Sequence, residues 1–113
     1  MPRVYSPEEA ADYLKQHLPT WHVEENHITR TYTTGDWRLT LLAAGAIAFL
    51  AEAAFHHPDL TLEYPRLHVR LQTHDDGGIT DKDFELARRI EALLTWQPAE
   101  SDALEGYPDQ WIR

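Results

Sequence analysis

The sequence predicts an α+β domain: a four-stranded antiparallel sheet with three helices on one face, in the order α-β-β-α-β-β-α. Three segments, near residues 7–18, 37–55 and 81–94, carry apolar residues at helical spacing or a composition typical of helices. Between them lie two pairs of short segments that alternate in polarity, as half-buried strands do. The connections within each pair are short, which favours antiparallel pairing. A chain of 113 residues has room for one such domain.

The first helix has a clear start and stop. Ser6 is a typical N-cap, Pro7 suits the first helical position, and Glu9 can complete a capping box. Pro19 ends the segment. The apolar positions between these signals are Ala10, Tyr13, Leu14 and Leu18.

The first strand pair follows this helix. We expect strands at 21–24 and 27–33, joined by a hairpin turn at Glu25-Asn26. Alternation in the second strand predicts two faces, one with Ile28, Arg30 and Tyr32 and the other with Thr29, Thr31 and Thr33.

The central segment, from Trp37 to about Phe55, is almost continuously apolar and rich in Ala and Leu, which favours a helix. Its charge-free part, 39–51, spans 13 residues, or roughly 20 Å, against about 30 Å of membrane hydrocarbon. We therefore expect no membrane span. A helix that is apolar nearly all round must be covered on more than one side. Either it self-associates through its small residues or it is wholly internal, and the sequence leaves both open.

The second half repeats the pattern. Pro58 ends the helical region, and strands are expected at 60–64 and 66–74, with Leu67, Val69 and Leu71 forming the apolar face of the latter. Thr80 can cap the last helix, whose buried stripe comprises Phe84, Ala87, Ile90, Leu93 and Leu94. We expect a domain over residues 1–98 and an acidic tail over 99–113. A loosely packed tail is slightly favoured over one that docks on the body or on a partner.

Composition narrows the classes of function. Nineteen Asp and Glu against ten Lys and Arg give a net charge of −9 with histidines neutral, so direct binding of nucleic acid or anionic membranes is not expected. The absence of cysteine excludes thiol nucleophiles, disulfides and Cys-based metal sites. The N-terminus resembles neither a secretory signal nor a mitochondrial presequence, so the expected location is cytoplasmic.

Histidines are the candidate reactive groups. His56 and His57 stand at the end of the long helix, and His74 is expected at the end of a strand. Glu52 lies one turn before His56, and Asp83 lies in the first turn of the last helix. An imidazole titrates at about 6.5 and can exchange protons at neutral pH, while a carboxylate can fix its tautomer.

Each of these residues also has a purely structural interpretation. The histidine pair suits the negative end of a helix dipole, Asp83 suits a cap, and His74 suits an exposed strand end. A zinc site is a further interpretation of several histidines with a carboxylate, but neither an HxxxH nor an HExxH pairing occurs.

The spacing of these residues is more specific than any one of them. Glu52, His56-His57-Pro58, Tyr64, His74 and Asp83 follow one another in an order that resembles the signature of pterin-4a-carbinolamine dehydratases (4a-hydroxytetrahydrobiopterin dehydratases). Residues 73–80, THDDGGIT, and 56–59, HHPD, agree with the same pattern. The resemblance covers roughly residues 6–97.

This resemblance implies a hydro-lyase that converts a 4a-hydroxytetrahydropterin to quinonoid dihydropterin and water without a cofactor or metal, in recycling of tetrahydrobiopterin. It implies that His56 and His74 are the acid–base pair and that His57 holds the pterin. Glu52 and Asp83 would be supporting carboxylates. Thr73 and Trp21 are expected among the substrate-binding or supporting residues. Homodimers or homotetramers are implied too, consistent with an apolar central helix.

The sequence departs from the family pattern at two places, and a second function is also compatible with the resemblance. Phe55 stands where many relatives carry a small or polar residue, and Ala43 and Ala44 replace bulkier residues of the central helix. Some relatives with this fold are non-catalytic binding proteins, namely a transcriptional dimerisation cofactor and a Rubisco assembly factor. Retention of the three histidines favours an enzyme, and the tail is the expected place for any protein partner.

Overall fold

The computed structural model describes residues 3–113, and it contains the expected seven elements together with one short 3₁₀ turn. Helices and strands alternate in the predicted order α-β-β-α-β-β-α. The elements are α1 (Pro7–His17), β1 (His22–Glu24), β2 (His27–Thr33), α2 (Trp37–Ala54), β3 (Asp59–Glu63), β4 (Arg66–Leu71) and α3 (Asp81–Leu94), with the 3₁₀ turn at His74–Asp76.

The four strands form one antiparallel sheet in the order β1-β2-β4-β3. β4 pairs with β2 along its whole length, from Ile28 opposite Leu71 to Thr33 opposite Arg66. The β1–β2 turn places Glu25 and Asn26 at φ 49° and 61°, the left-handed region that two-residue hairpins with right-handed twist require. The predicted fold class and hairpin turn are therefore confirmed.

The hydrophobic core lies between one face of the sheet and the helices. Ile28 and Tyr32 of β2 and Leu67 and Val69 of β4 are fully buried on that face. The predicted capping box at Ser6–Glu9 and the predicted cap at Thr80 both form, and Asp83 completes a second capping box with Thr80. The buried stripe of α3 differs from the prediction at two leucines: Leu93 is about half exposed, and Leu86 is buried instead.

Helix α2 is not wholly internal. Its buried face comprises Leu39, Thr40, Ala43, Ile47 and Ala51, whereas a second apolar face, which we call the outer α2 face, remains exposed. The large side chains of the outer α2 face are Trp37, Leu41, Leu42 and Phe49. Over its 18 residues α2 has a mean hydropathy of 1.4, enough by length and composition alone for a membrane span, but a third of it is buried inside the domain.

The second strand pair differs from prediction at its end. β4 stops at Leu71 rather than at residue 74, and His74 begins the 3₁₀ turn. Gly77 at φ 69° reverses the chain, so that the N–H of Thr73 bonds to the carbonyl of Gly78 (2.9 Å). His74 therefore projects from a tight loop, and its assignment to a strand end is wrong.

The tail docks on the body, contrary to the slightly favoured loose arrangement. Ile112 is only 4% exposed and joins the core. The main chain of Arg113 exchanges two hydrogen bonds with Thr33 of β2 (2.6 and 3.0 Å). Tyr107 accepts a bond from Arg38 of α2, and the Trp111 indole donates to the carbonyl of Leu94.

Candidate functional site

Asp83 is a fully buried carboxylate at the third position of α3. Burial of a carboxylate is costly unless its oxygens are hydrogen-bonded. Its Oδ2 accepts bonds from the Thr80 N–H (2.9 Å) and the Thr73 hydroxyl (2.9 Å). Its Oδ1 lies 2.6 Å from Nε2 of His56. Asp83 is therefore both a helix cap and the carboxylate partner of an imidazole.

The two threonines beside Asp83 form a directed chain of hydrogen bonds. Because the Thr73 hydroxyl donates to the carboxylate, its oxygen must accept the bond from Thr80, whose oxygen lies 2.7 Å away. The Thr80 oxygen in turn accepts from the Lys82 N–H (3.3 Å). Every donor points towards the carboxylate, which fits its ionised, acceptor-only form.

His56 is placed by the way α2 ends. The Phe55 N–H donates to the carbonyl of Glu52 (3.2 Å) and the His56 N–H to that of Ala51 (3.1 Å), the two bonds of a Schellman motif. This turn directs the imidazole back to Asp83, with only 12% of the His56 side chain exposed. When Nε2–H donates to Asp83, Nδ1 of the neutral ring is free to accept a proton. No hydrogen bond engages Nδ1 within residues 3–113.

The other expected site residues are more exposed. Nε2 of His57 lies 2.7 Å from Oε1 of Glu52, and both side chains are at least half exposed. His74 is exposed on its loop, directly after Thr73. The structure thus joins His56, Thr73 and Asp83 in one network and pairs His57 with Glu52 separately.

Trp21 belongs to a different cluster. The indole is buried and donates to Glu91 on α3 (3.1 Å), eight residues and about 12 Å along the helix from Asp83. Arg30 and the hydroxyl of Tyr32 bond to the same carboxylate, at 3.2 and 2.7 Å. The sequence predicted that Arg30 and Tyr32 share one face of β2 but contained no signal that Glu91 would join them.

This cluster changes the ionisation of Glu91. Burial alone would raise the pKa of the carboxyl, but the hydrogen bonds from Arg30 and Tyr32 outweigh it and hold that pKa below its ordinary value. Burial of the Tyr32 hydroxyl, together with its bond to Glu91, raises the pKa of Tyr32. The cluster is a structural anchor between β2 and α3.

A cleft of about 580 Å³ opens between the end of α2 and the start of α3, beside His56. Ligand pockets commonly have volumes of about 300–1,000 Å³. Its walls combine apolar side chains with a polar rim. They are formed by Leu50, Ala53, Ala54, Phe55, His56, Lys82, Glu85, Leu86 and Arg89. Of the three candidate histidines, only His56 lines this cleft.

A further imidazole–carboxylate pair lies on the sheet face that the helices leave uncovered. Nε2 of His68 is 2.8 Å from Oε1 of Glu63, and its Nδ1 is 2.8 Å from the hydroxyl of Thr31. The bond from His68 lowers the pKa of Glu63. In the described chain, residues 3–113, no group of three or more His, Asp or Glu side chains is arranged to hold a metal ion.

Comparison with known proteins identifies the family. The sequence model described as pterin 4 alpha carbinolamine dehydratase matches residues 3–93. The chain belongs to this family. The pterin dehydratase match stops before the docked tail, so residues 94–113 lie beyond the shared segment.

Two bacterial proteins illustrate the similarity of this dehydratase-family protein to known sequences. A protein of Chloroflexus aurantiacus with the provisional name pterin-4-alpha-carbinolamine dehydratase is 44% identical over 94 residues, which is 83% of this chain and 99% of that protein. A protein of Aquifex aeolicus with the same provisional name is 39% identical over 94 residues, or 83% and 94% of the two chains.

Solved structures agree with the fold. A transcriptional coactivator/pterin dehydratase from Brucella melitensis is similar with a TM-score of 0.73 at 28% identity, covering 80% of this chain and 98% of that one. A pterin dehydratase-like protein described as a RuBisCO assembly factor of the alpha-carboxysome matches with a TM-score of 0.53 at 19% identity, covering 65% and 84%. The second similarity concerns the fold alone.

Proposed function

We propose that this protein is a 4a-hydroxytetrahydrobiopterin dehydratase that uses histidine general acid–base catalysis. The observation that supports this proposal most strongly is the distance of 2.6 Å between Nε2 of His56 and Oδ1 of the buried Asp83. Family membership supports the substrate class, and the cleft beside His56 has a volume suited to a bicyclic ligand.

The reaction needs one proton delivered and one removed. Hydroxide is a poor leaving group, so an acid protonates the 4a-hydroxyl and the C4a–O bond breaks with release of water. The N5 lone pair forms the new C4a=N5 bond, and a base then takes the N5 proton. The products are quinonoid dihydropterin and water, and no electrons are exchanged with a cofactor.

His56 is suited to either proton transfer. Asp83 fixes the ring with Nε2 towards the protein, so Nδ1 is the atom that exchanges a proton with substrate. When the ring carries a second proton, its bond to the carboxylate is charge-assisted, so Asp83 holds the imidazole in place through both proton transfers. A positioned general acid or base typically accelerates a reaction about 10²- to 10⁴-fold.

The remaining residues have supporting roles in this proposal. His74, which follows Thr73 directly in the chain, is the second acid–base group at the 4a-hydroxyl. His57, oriented by Glu52, holds the pterin. Thr73 acts through Asp83, whose carboxylate its hydroxyl contacts. The position of Trp21, bonded to Glu91, supports a structural role instead of contact with substrate.

The enzyme proposal is tested with two substitutions. His56→Ala and His74→Ala should each lower kcat for dehydration of 4a-hydroxytetrahydrobiopterin at least ~100-fold. His68→Ala is the matched control, because His68 is also paired with a carboxylate but lies on the opposite, uncovered sheet face. If the wild-type protein accelerates dehydration no more than the two variants do, the enzyme proposal is wrong.

We propose further that the outer α2 face is covered by a second copy of the chain in a homodimer or homotetramer. Leu42 and Phe49 are 58% and 73% exposed, and Gly45 between them would let another helix approach closely. Phe49→Asp should shift the mass measured by light scattering to that of a smaller species. An unchanged mass would place the contact elsewhere.

The exposed outer α2 face also gives the rival function a basis. A non-catalytic binding factor would use such a face for a different protein. The two functions are distinguished by separate readouts. If the protein is a binding factor, Phe49→Asp should abolish capture of that partner and His56→Ala should not. If it is an enzyme, His56→Ala should abolish dehydration.

A further inference from the structure

Phe55 occupies a backbone position that does not suit it. Its φ and ψ of 50° and 47° lie in the left-handed region, at the residue of the Schellman motif where glycine or asparagine is usual. A side chain with a Cβ adopts this conformation at an energetic cost that glycine does not incur. Local helix termination therefore does not explain a phenylalanine here.

Packing does not explain it either. The Phe55 side chain is 85% exposed, so it gains little from burial that would offset the backbone cost. Strained residues of this kind are concentrated at functional sites, where the strain is retained for another purpose.

The surroundings of Phe55 indicate that purpose. Its ring meets the His57 ring edge-on, with centroids 5.6 Å apart and planes at 82°. Phe55 also lines the cleft beside His56, together with Leu50 and Leu86. A single exposed ring thus borders both members of the histidine pair.

We propose that Phe55 is a specificity-determining residue that packs its ring against the flat face of the reduced pterin. This inference rests on the proposed function. An aromatic ring attracts another planar ring by stacking or by an edge-to-face contact. The polar rim of the cleft, with Lys82, Glu85 and Arg89, then faces the hydrogen-bonding edge of the heterocycle. The strained backbone presents the Phe55 ring at the mouth of the cleft.

The test compares Phe55→Asn and Phe55→Gly, which both suit the left-handed backbone, with the aromatic Phe55→Tyr. Leu104→Ala, which shortens an exposed apolar side chain in the tail, is the control. We expect the Asn and Gly variants to raise KM for 4a-hydroxytetrahydrobiopterin about 3- to 10-fold with little change in kcat. Phe55→Tyr should keep KM near the wild-type value. The Tm of the Asn and Gly variants should not fall, since neither burial nor backbone geometry is lost.

Equilibrium binding of 7,8-dihydrobiopterin separates this inference from the proposed function. If the wild-type protein binds this probe but does not accelerate dehydration, the enzyme proposal fails, while a Kd weaker by about 3- to 10-fold in Phe55→Asn still supports the role of Phe55. An unchanged KM and Kd in both variants would overturn the inference. A fall in kcat alone would also overturn it, because this result would mean that Phe55 positions His57. An absence of probe binding by the wild-type protein would overturn it as well.

Discussion

Replacement of Asp83 by asparagine tests the central contact of the site. Oδ2 of Asp83 accepts two bonds, from Thr73 and Thr80, so the amide oxygen of the introduced asparagine should take this place. The amide nitrogen then replaces Oδ1 and directs a hydrogen towards Nε2 of His56, 2.6 Å away. Nε2 must become an acceptor, which moves the ring proton to Nδ1 and removes the base from the cleft.

The size of the effect follows from the bond that is lost. A hydrogen bond to a charged group contributes about 1.5–3 kcal/mol, and each ~1.36 kcal/mol corresponds to a factor of ten. We therefore expect kcat to fall about 10- to 200-fold. The bonds from Thr73 and Thr80 remain and the third bond becomes a neutral one, so the free energy of unfolding should fall by only about 1 kcal/mol.

Steady-state kinetics at pH 7 and urea unfolding measure the two quantities. Thr40→Val is the matched control: Thr40 is fully buried and donates to the carbonyl of Glu63, but it lies about 21 Å along α2 from the helix end at Ala54 that carries His56. It should lose a similar stability while keeping kcat. A kcat for Asp83→Asn within about twofold of the wild-type value would refute the assigned role of the carboxylate.

Two further predictions concern stability. Because the pKa of Glu91 is held below its ordinary value of 4.5, its contribution to folding is present above that pH and is lost as the pH falls through the folded pKa. The stability difference between wild type and Glu91→Gln, measured by urea unfolding, should therefore shrink from about pH 5 to pH 3. Ile112→Ala should cost about 2–4 kcal/mol of unfolding free energy, against less than about 0.5 kcal/mol for the exposed Leu104→Ala. Equal values would contradict docking of the tail.

Local signals in the sequence were sufficient for most of the fold. Caps at Ser6 and Thr80 and the turn at Glu25-Asn26 are chemical features of a few adjacent residues, and all three form as predicted. The end of β4 was predicted wrongly because alternation continues to His74, while Gly77 permits a reversal that pairs Thr73 with Gly78.

The tertiary contacts were harder to predict. Asp83 had a complete local explanation as a cap, and its contact with His56 joins residues 27 positions apart. The spacing of the histidines indicated that they act together, but spacing alone does not show which one meets the carboxylate. Docking of the tail joins residues that are far apart in the chain, such as Trp111 with Leu94 and Arg113 with Thr33. Hydrophobic patterning within a short acidic segment does not reveal contacts of this kind.

The pairing of imidazoles with carboxylates at different depths has an experimental consequence. His56–Asp83 is nearly enclosed, His68–Glu63 is partly open, and His57–Glu52 is largely in solvent. One sample titrated by NMR would therefore follow three imidazole–carboxylate couples under identical salt and temperature. The couples differ in their other hydrogen bonds as well as in depth, because Asp83 also accepts from Thr73 and Thr80 and His68 also contacts Thr31. The separation of the curves would report the combined effect of enclosure and these additional bonds.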